Sequence, residues 1–175
     1  GWEQEPLVKR AKELGYWILA TNGTADAEGF KHADETIVMD PRDTMRALEL
    51  FRSKKMDAVV TDNDDYALYT QGIIAATCGV PGPNFVAISN SNNKRKQRVA
   101  CQAALALQPA FRACSSLEEA REAVQSVGGY PVIFKPVDNR GNFGVNRVDG
   151  DSEIDAAFFE AVANSFSREI MVEKF

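Results

Sequence analysis

Histidine and cysteine are scarce in this chain of 175 residues, which contains one histidine and three cysteines. The cysteines are widely spaced and form no CxxC pair; they are Cys78, Cys101 and Cys114. A zinc site needs about four such ligands, and a catalytic cysteine needs a histidine partner, for which only His32 is available. The sequence therefore argues against both and favours the reduced thiols of a cytoplasmic protein.

Long apolar runs and a large excess of one charge are also absent. No stretch approaches the roughly 20 apolar residues that cross a bilayer, and the first residues are too polar for a signal peptide. The net charge is −5 with both signs scattered, apart from a basic cluster at 94–98. We therefore expect neither a membrane nor a nucleic acid as a partner. The content of 45% hydrophobic and 26% charged residues is typical of a globular protein.

Helices and strands are predicted to alternate along the first half, which indicates an α/β fold with a Rossmann-like, largely parallel sheet. The patterns predict strands at 16–20, 36–39 and 57–61, and helices at 6–14, from about 40–43 to 51, and at 66–77. Such a layer normally begins with a strand, whereas this chain begins with a helix, so we expect a fragment. A segment rich in Pro, Gly, Asn and Ser at 81–92 is predicted to be a linker. It divides the chain into domains 1–92 and 93–175.

The second half is predicted to contain three helices and three strands. The helices are expected at 94–107, 117–127 and 152–164, and the strands at 131–135, 145–148 and 169–175. Ser116 and Glu119 have the spacing of a capping box, and Ser152 is predicted to cap the last helix.

Lys135 lies at the end of an apolar strand, and a long loop follows it. A buried ammonium group is costly unless an anion compensates it, and a polyphosphate is a suitable anion. The lysine alone fits a solvent-edge position as well. The loop 138–144 is longer than a simple hairpin requires and contains Gly141 and Gly144, as expected of a lid that covers phosphates. Neither a Walker A pattern nor GxGxxG is present.

Three segments in this order resemble the nucleotide-binding motifs of ATP-grasp enzymes. They are 129–138 with the glycines that follow, Asn93-Lys94 with Arg98 and 108–111, and the terminal run 171–175. In isolation the basic run would be a solvated helix start, and Glu173 an exposed charge. The resemblance implies a Rossmann-like pre-ATP-grasp domain over 1–92. It is followed by the lid-bearing first α+β part of an ATP-grasp domain over 93–175, which is expected to end before the metal-binding subdomain.

The resemblance also implies a set of ATP-binding residues. Two lysines would contact the phosphates, the loop would cover them, and the terminal run would hold adenine: Lys94, Lys135, Gly141, Asn142, Phe143, Gly144, Glu173, Lys174 and Phe175. Asn142 and Phe143 depart from the Gly, Ser or Arg of many relatives. Catalytic residues and Mg²⁺ ligands are expected beyond residue 175, so the sequence assigns none.

The function that the resemblance implies is an ATP-dependent ligase. It would activate a carboxylate as an acylphosphate for attack by an amine, with Mg²⁺, small-molecule substrates, and a homodimer as a compatible assembly. Two alternatives remain open: bicarbonate activation of the biotin-carboxylase or carbamoyl-phosphate-synthase type, and a non-catalytic nucleotide-binding module. The 175-residue piece alone is predicted to bind nucleotide weakly and not to turn over.

Overall fold

The computed structural model describes all residues from Gly1 to Phe175. The chain forms two compact units, Gly1–Ile88 and Ser89–Phe175, whereas the predicted domain boundary followed residue 92. Each unit contains its own sheet, one of two strands and one of four. None of the helices combines the length and the apolar character needed to span a membrane.

The first unit places helices around a small parallel sheet. Its helices are α1 (Glu5–Glu13), α2 (Thr44–Phe51) and α3 (Ala67–Cys78), its strands are β1 (Leu19–Asn22) and β2 (Glu35–Val38), and 3₁₀ turns cover Trp2–Gln4 and Glu28–His32. The two strands are parallel, as the sequence predicts. Helix α2 begins where the Asp43 carboxylate accepts a hydrogen bond from the Arg46 amide, an ordinary N-cap. A small buried cluster joins α2, α3 and the residue after β2.

Two strand predictions in this unit need correction. Residues 57–61 form no strand. There the Val59 carbonyl accepts a hydrogen bond from the Gln71 side chain at 2.8 Å, and Val60 is 68% exposed. The first strand begins at Leu19 rather than Tyr16. The Tyr16 amide donates to the Ala11 carbonyl and so completes the end of α1 instead of pairing in a sheet.

The predicted linker is partly helical. Helix α4 (Phe85–Ser91) lies within 81–92, and the boundary between the two units falls inside this segment. The Asn84 side chain accepts a hydrogen bond from the Val86 amide at 2.7 Å, and the Asn84 carbonyl accepts one from the Ile88 amide at 3.0 Å. Asn84 therefore begins a helix by capping it, although asparagine is equally common in loops.

The second unit is built on a four-stranded antiparallel sheet. Its helices are α5 (Lys94–Ala103), α6 (Leu117–Ser126) and α7 (Ile154–Ala163), and its strands are β3 (Phe111–Cys114), β4 (Val132–Pro136), β5 (Asn146–Val148) and β6 (Ile170–Lys174). The strand order is β3-β6-β4-β5, and every neighbouring pair is antiparallel. Helix α5 ends well before the predicted residue 107. Leu105 adopts a left-handed backbone conformation, with φ of 54°, immediately after the helix.

The side chains of this sheet alternate between two unlike faces. The helix face carries Val132, Phe134, Val148, Ile170 and Val172, all fully buried in one cluster with side chains of α6 and α7. The opposite face, here named the charged face, carries Ile133, Lys135, Arg147 and Glu173. This assignment follows from the register, which pairs Ile133 with both Glu173 and Arg147. The helix face supplies the core, and the charged face presents the candidate functional side chains.

The two predicted helix caps have different outcomes. Ser116 caps α6 as expected, since its hydroxyl accepts a hydrogen bond from the Glu119 amide at 3.2 Å. The Glu119 carboxylate reaches back to the Ser115 amide at 2.6 Å. Ser152 caps nothing, because it lies inside a 3₁₀ turn, Asp151–Glu153, that precedes α7.

Candidate nucleotide-binding site

Glu173 is the buried centre of a charge cluster on the charged face. Its carboxylate accepts hydrogen bonds from Arg98 Nε at 2.6 Å and Nη2 at 3.2 Å, and from Lys135 Nζ at 2.5 Å. The residue is only 5% exposed. The β4–β6 register brings Lys135 and Glu173 to the same face, and α5 supplies Arg98. Strand pairing and one helix thus assemble three charges that are distant in sequence.

The electrostatics of this cluster leave a surplus of positive charge. Burial raises the pKa of Glu173, but the hydrogen bonds from Arg98 and Lys135 outweigh burial, so the pKa is lowered overall. The pKa of Arg98 is raised, chiefly by its hydrogen bond to Glu173. Two cations therefore face one ionised carboxylate, and such an arrangement favours an anionic ligand.

Arg98 was not among the predicted binding residues, although it lay within a recognised motif. Its spacing of four residues from Lys94 places both side chains on one side of α5, which is a signal that the sequence contained. What the sequence did not contain was the pairing of Arg98 with Glu173, because that contact joins residues 75 positions apart.

Lys94 lies at the first position of α5 and contacts the start of the predicted lid. Its ammonium group donates to the Asn139 carbonyl, and its backbone amide donates to the Val137 carbonyl at 2.7 Å. Asn93 caps the helix by accepting a hydrogen bond from the Lys96 amide at 3.0 Å. The structure therefore brings Lys94 to the loop and Lys135 to Glu173.

The loop between β4 and β5 combines left-handed backbone with an exposed tip. Gly141, Asn142 and Gly144 have φ values of 64°, 61° and 69°. Phe143 is 63% exposed, whereas Gly144 is buried. A Cβ atom at Gly144 would lie 2.8 Å from the Asn164 Cβ, so this position requires glycine for space as well as for conformation.

The segment predicted to hold adenine, 171–175, comprises most of β6 and the residue that follows it. The Lys174 ammonium group points away from the charged face and donates to the carbonyls of Gly129, Tyr130 and Pro131 at 2.9, 2.9 and 3.3 Å. Phe175 is exposed, and the Arg147 guanidinium lies 4.5 Å from its ring centroid. Lys174 can therefore contribute to a ligand on this face only through its backbone.

The chain contains no group of three or more His, Cys, Asp or Glu side chains placed to hold a metal ion. The carboxylate nearest the centre of the candidate site, Glu173, is already engaged by Arg98 and Lys135. These residues do not fit a Mg²⁺ centre, because Mg²⁺ needs oxygen ligands that are free to coordinate it.

Comparison with known proteins finds a similar domain and similar folds. Residues 93–175 match the family model described as "Carbamoyl-phosphate synthase L chain, ATP binding domain". A solved structure, the N5-carboxyaminoimidazole synthetase of Staphylococcus aureus complexed with ADP, superposes with a TM-score of 0.85 at 16% identity. That match covers 100% of this chain and 45% of the other. The chain therefore shares the fold of ATP-grasp ligases, and its second half matches an ATP-binding domain.

Two further proteins are similar to this chain over nearly its whole length. The formate-dependent phosphoribosylglycinamide formyltransferase of Synechococcus sp. (strain WH7803) is 28% identical over 167 residues, which are 94% of this chain and 43% of that protein. The L-amino acid ligase of Bacillus licheniformis has a TM-score of 0.75 at 22% identity and covers 97% of this chain and 41% of the other. The chain thus spans less than half the length of these proteins. The fold prediction, an α/β chain that matches part of an ATP-grasp ligase, is confirmed.

Proposed function

We propose that the second unit binds ATP on its charged face, in a protein that is an ATP-dependent ligase activating a carboxylate for attack by an amine. The observation that carries the proposal is the cluster of the buried Glu173 with the partly buried Arg98 and Lys135, which has a surplus positive charge. A polyphosphate is the common metabolite group that best matches two converging cations beside a loop of left-handed backbone.

The cations have complementary roles in this proposal. Lys135 would turn from Glu173 toward the phosphates, because an ammonium group on a flexible stem can exchange partners at low cost. Arg98 would stay on Glu173 through its two-point contact and keep that carboxylate ionised. Lys94 holds the Asn139 carbonyl, so it would contact phosphate at the root of the loop. The loop 141–144 would cover the phosphates from above.

Adenine would lie toward the end of β6. The backbone amides of Lys174 and Phe175 donate to the carbonyls of Ala110 and Pro131 at 2.9 and 3.2 Å. Those two amides are occupied, so we expect the base to be recognised through backbone carbonyls and through its flat surface. The Arg147 guanidinium and the Phe175 ring offer such a surface at the edge of the charged face.

The relatives support the type of reaction. One is named for formate, another for amino acids, and a third was solved with ADP. Formate and amino acids are carboxylic acids, so the shared chemistry would be a carboxylate activated by ATP. The substrates would be small molecules. We also place the enzyme in the cytoplasm and expect it to use Mg²⁺, whose protein ligands this chain does not supply. A homodimer fits the proposal. Light scattering after size-exclusion chromatography would measure the molar mass and so the oligomeric state.

Nucleotide affinity tests the binding part of the proposal. Lys135→Ala should weaken binding of a fluorescent ATP analogue about tenfold or more, because one charge-assisted contact is lost. Lys54→Ala is the matched control: it also removes one ammonium group, from a surface pair with Glu35 in the first unit. Equal affinities for wild type and Lys135→Ala would reject the site and favour a non-catalytic module.

Phosphate release tests the reaction. The assay would use a protein extended to the full length of the relatives. It would be supplied with ATP and a panel of amino acids, formate and bicarbonate. Release that depends on an amino acid or formate together with an amine supports the proposed ligase. Release with bicarbonate alone would support the carbamoyl-phosphate-synthase type instead, a type that the description of the matched family favours.

A further inference from the structure

Asp138 has both carboxylate oxygens bound by the turn between α7 and β6. Oδ1 accepts hydrogen bonds from the Ser165 hydroxyl at 2.8 Å and from the Phe166 amide at 3.0 Å. Oδ2 accepts one from the Ser167 amide at 2.8 Å. Ser165 is 5% exposed, so water competes poorly for at least the first of these contacts.

The rest of the loop is attached to the same end of α7. The Asn139 side chain donates to the Asn164 carbonyl at 2.7 Å. At the other end of the loop, a Cβ atom on Gly144 would come within 2.8 Å of the Asn164 Cβ and 3.2 Å of the Ala161 Cα. Both ends of the loop therefore rest on the last turn of α7, and the residues between them, 140–143, are exposed.

The same attachment continues the pairing of β4 with β6. The ladder between these strands ends with Pro136 opposite Ile170. Beyond it the Val137 amide donates to the Glu169 carbonyl at 3.3 Å, and the contacts of Asp138 follow directly. The start of the loop is thus held in line with the strands that carry Lys135 and Glu173.

From this geometry we infer that Asp138 is a positioning residue that clamps the root of the lid to the α7–β6 turn and confines lid movement to residues 140–143. The part of the inference that concerns phosphates rests on the proposed function, whereas the clamp itself does not. A short movable tip between two fixed ends loses less conformational entropy on closing than a free loop would, and so it covers a ligand more readily.

The electrostatic state of Asp138 agrees with this role. Burial raises the pKa of its carboxyl group, but the hydrogen bonds from Ser167 and Ser165 and from the Phe166 amide outweigh burial, so the pKa is lowered overall. The side chain is then an ionised acceptor, for which three donors are stronger partners than they would be for a neutral acid.

Limited proteolysis tests the clamp without any nucleotide. Trypsin can cut after the exposed Arg140, and mass spectrometry would follow the fragment 1–140. We expect Asp138→Ala to release this fragment about tenfold faster than wild type, since local opening no longer has to break the charge-assisted contacts. Asp138→Asn keeps one acceptor oxygen and Ser165→Ala removes one donor, so both should give intermediate rates.

Two control variants separate the clamp from general loss of stability. Asp155 lies at the start of α7, at the opposite end of the helix from the loop, and its carboxylate contacts Arg121 of α6. Asp155→Asn removes this carboxylate. Val124→Ala opens a cavity in the core beside α6. Wild-type release rates in both controls support the clamp. Equal acceleration in Val124→Ala, or a wild-type rate in Asp138→Ala, would overturn it. If Asp138→Ala does not fold, Ser165→Ala and Asp138→Asn decide between the same outcomes.

Adding the ATP analogue separates this inference from the proposed function. If the analogue binds, Asp138→Ala should weaken its affinity severalfold, and Asp138→Asn should restore part of the loss. If the analogue fails to bind while Asp138→Ala still accelerates release of 1–140, the proposed function fails and the clamp stands. Unchanged affinity together with an unchanged release rate overturns the clamp alone.

Discussion

Phe134 and Ile133 are neighbours on β4, yet they face different environments. Phe134 is fully buried on the helix face with side chains of α6 and α7. Ile133 lies on the charged face opposite Glu173, in a region that is less completely covered. One face of the same sheet is dry and apolar, and the other holds a buried carboxylate between two cations. The apolar core and the proposed binding site are thus separated by single-residue alternation along a strand.

The largest effect should come from the helix face. Phe134→Ala should lower the free energy of unfolding by about 3–5 kcal/mol, because it leaves a cavity in a closed core. Ile133→Ala, the matched change one residue away, should cost about 1–2 kcal/mol, since part of its surface is already in contact with solvent. Urea denaturation followed by circular dichroism would measure both. Equal losses would contradict the separation of the faces.

A smaller loss of stability is expected on the charged face. Glu173→Gln should cost about 2–3 kcal/mol at neutral pH, because Arg98 and Lys135 lose their ionised acceptor. The folded-state pKa of Glu173 lies below its ordinary value of 4.5, so its stabilising contribution is present above that value and is lost as the pH falls through the folded pKa. Wild type should therefore lose its advantage over Glu173→Gln as the pH falls below the ordinary value of 4.5 and through the folded pKa.

Denaturation at a series of pH values would measure this difference. Glu122→Gln is the control, because Glu122 pairs with Arg112 on the surface and is well exposed. A difference between wild type and Glu173→Gln that stays constant from neutral to acid pH would be inconsistent with an ionised Glu173.

The loop glycines should give the next effect. Gly144→Ala should cost about 2 kcal/mol, combining left-handed backbone strain with the close approach to Asn164. Gly141→Ala should cost about 1 kcal/mol, because its Cβ would meet only the Phe143 ring at 3.2 Å, and that exposed side chain can move. Thermal melts would rank the two variants. The reverse order would mean that the loop is not seated on α7.

The smallest effect concerns the start of the helices that cover the helix face. Ser116→Ala should cost about 1 kcal/mol, since the Glu119 amide loses its cap. Ser152→Ala should be nearly neutral, because Ser152 lies within a 3₁₀ turn and caps no helix. Parallel urea titrations would compare the free energies of unfolding of the two variants. A larger loss in Ser152→Ala would indicate that Ser152 caps a helix, as the sequence predicts.

Sequence reasoning succeeded where an apolar run or a cap encodes the element locally. β4 and β6 were predicted within about a residue because each contains a short continuous apolar run with glycine or serine nearby. It failed at 57–61, whose apolar residues suggest a strand although Val60 is 68% exposed and the Val59 carbonyl accepts a hydrogen bond from the Gln71 side chain. It also missed the helix within 81–92, because Asn84 is as compatible with a helix cap as with a loop.

The candidate site shows the same limit. The resemblance to ATP-grasp enzymes brought Lys135 and Glu173 to attention, but their contact depends on the pairing of β4 with β6. The clamp at Asp138 could not be read from sequence, because its donors lie 27 to 29 positions away. Contacts of this kind are set by register, which local patterns constrain only through the apolar face.

The alternation of Glu173 and Lys174 has a consequence for how β6 finds its place. A slip of one residue would bring an ammonium group beside Arg98 and Lys135, and would point a carboxylate at the carbonyls of the 129–131 turn. The ammonium group would be repelled by the two cations, and the carboxylate would be repelled by the carbonyl oxygens. Both repulsions would raise the free energy of the misaligned strand. The opposite charges of Glu173 and Lys174 thus favour a single register for β6.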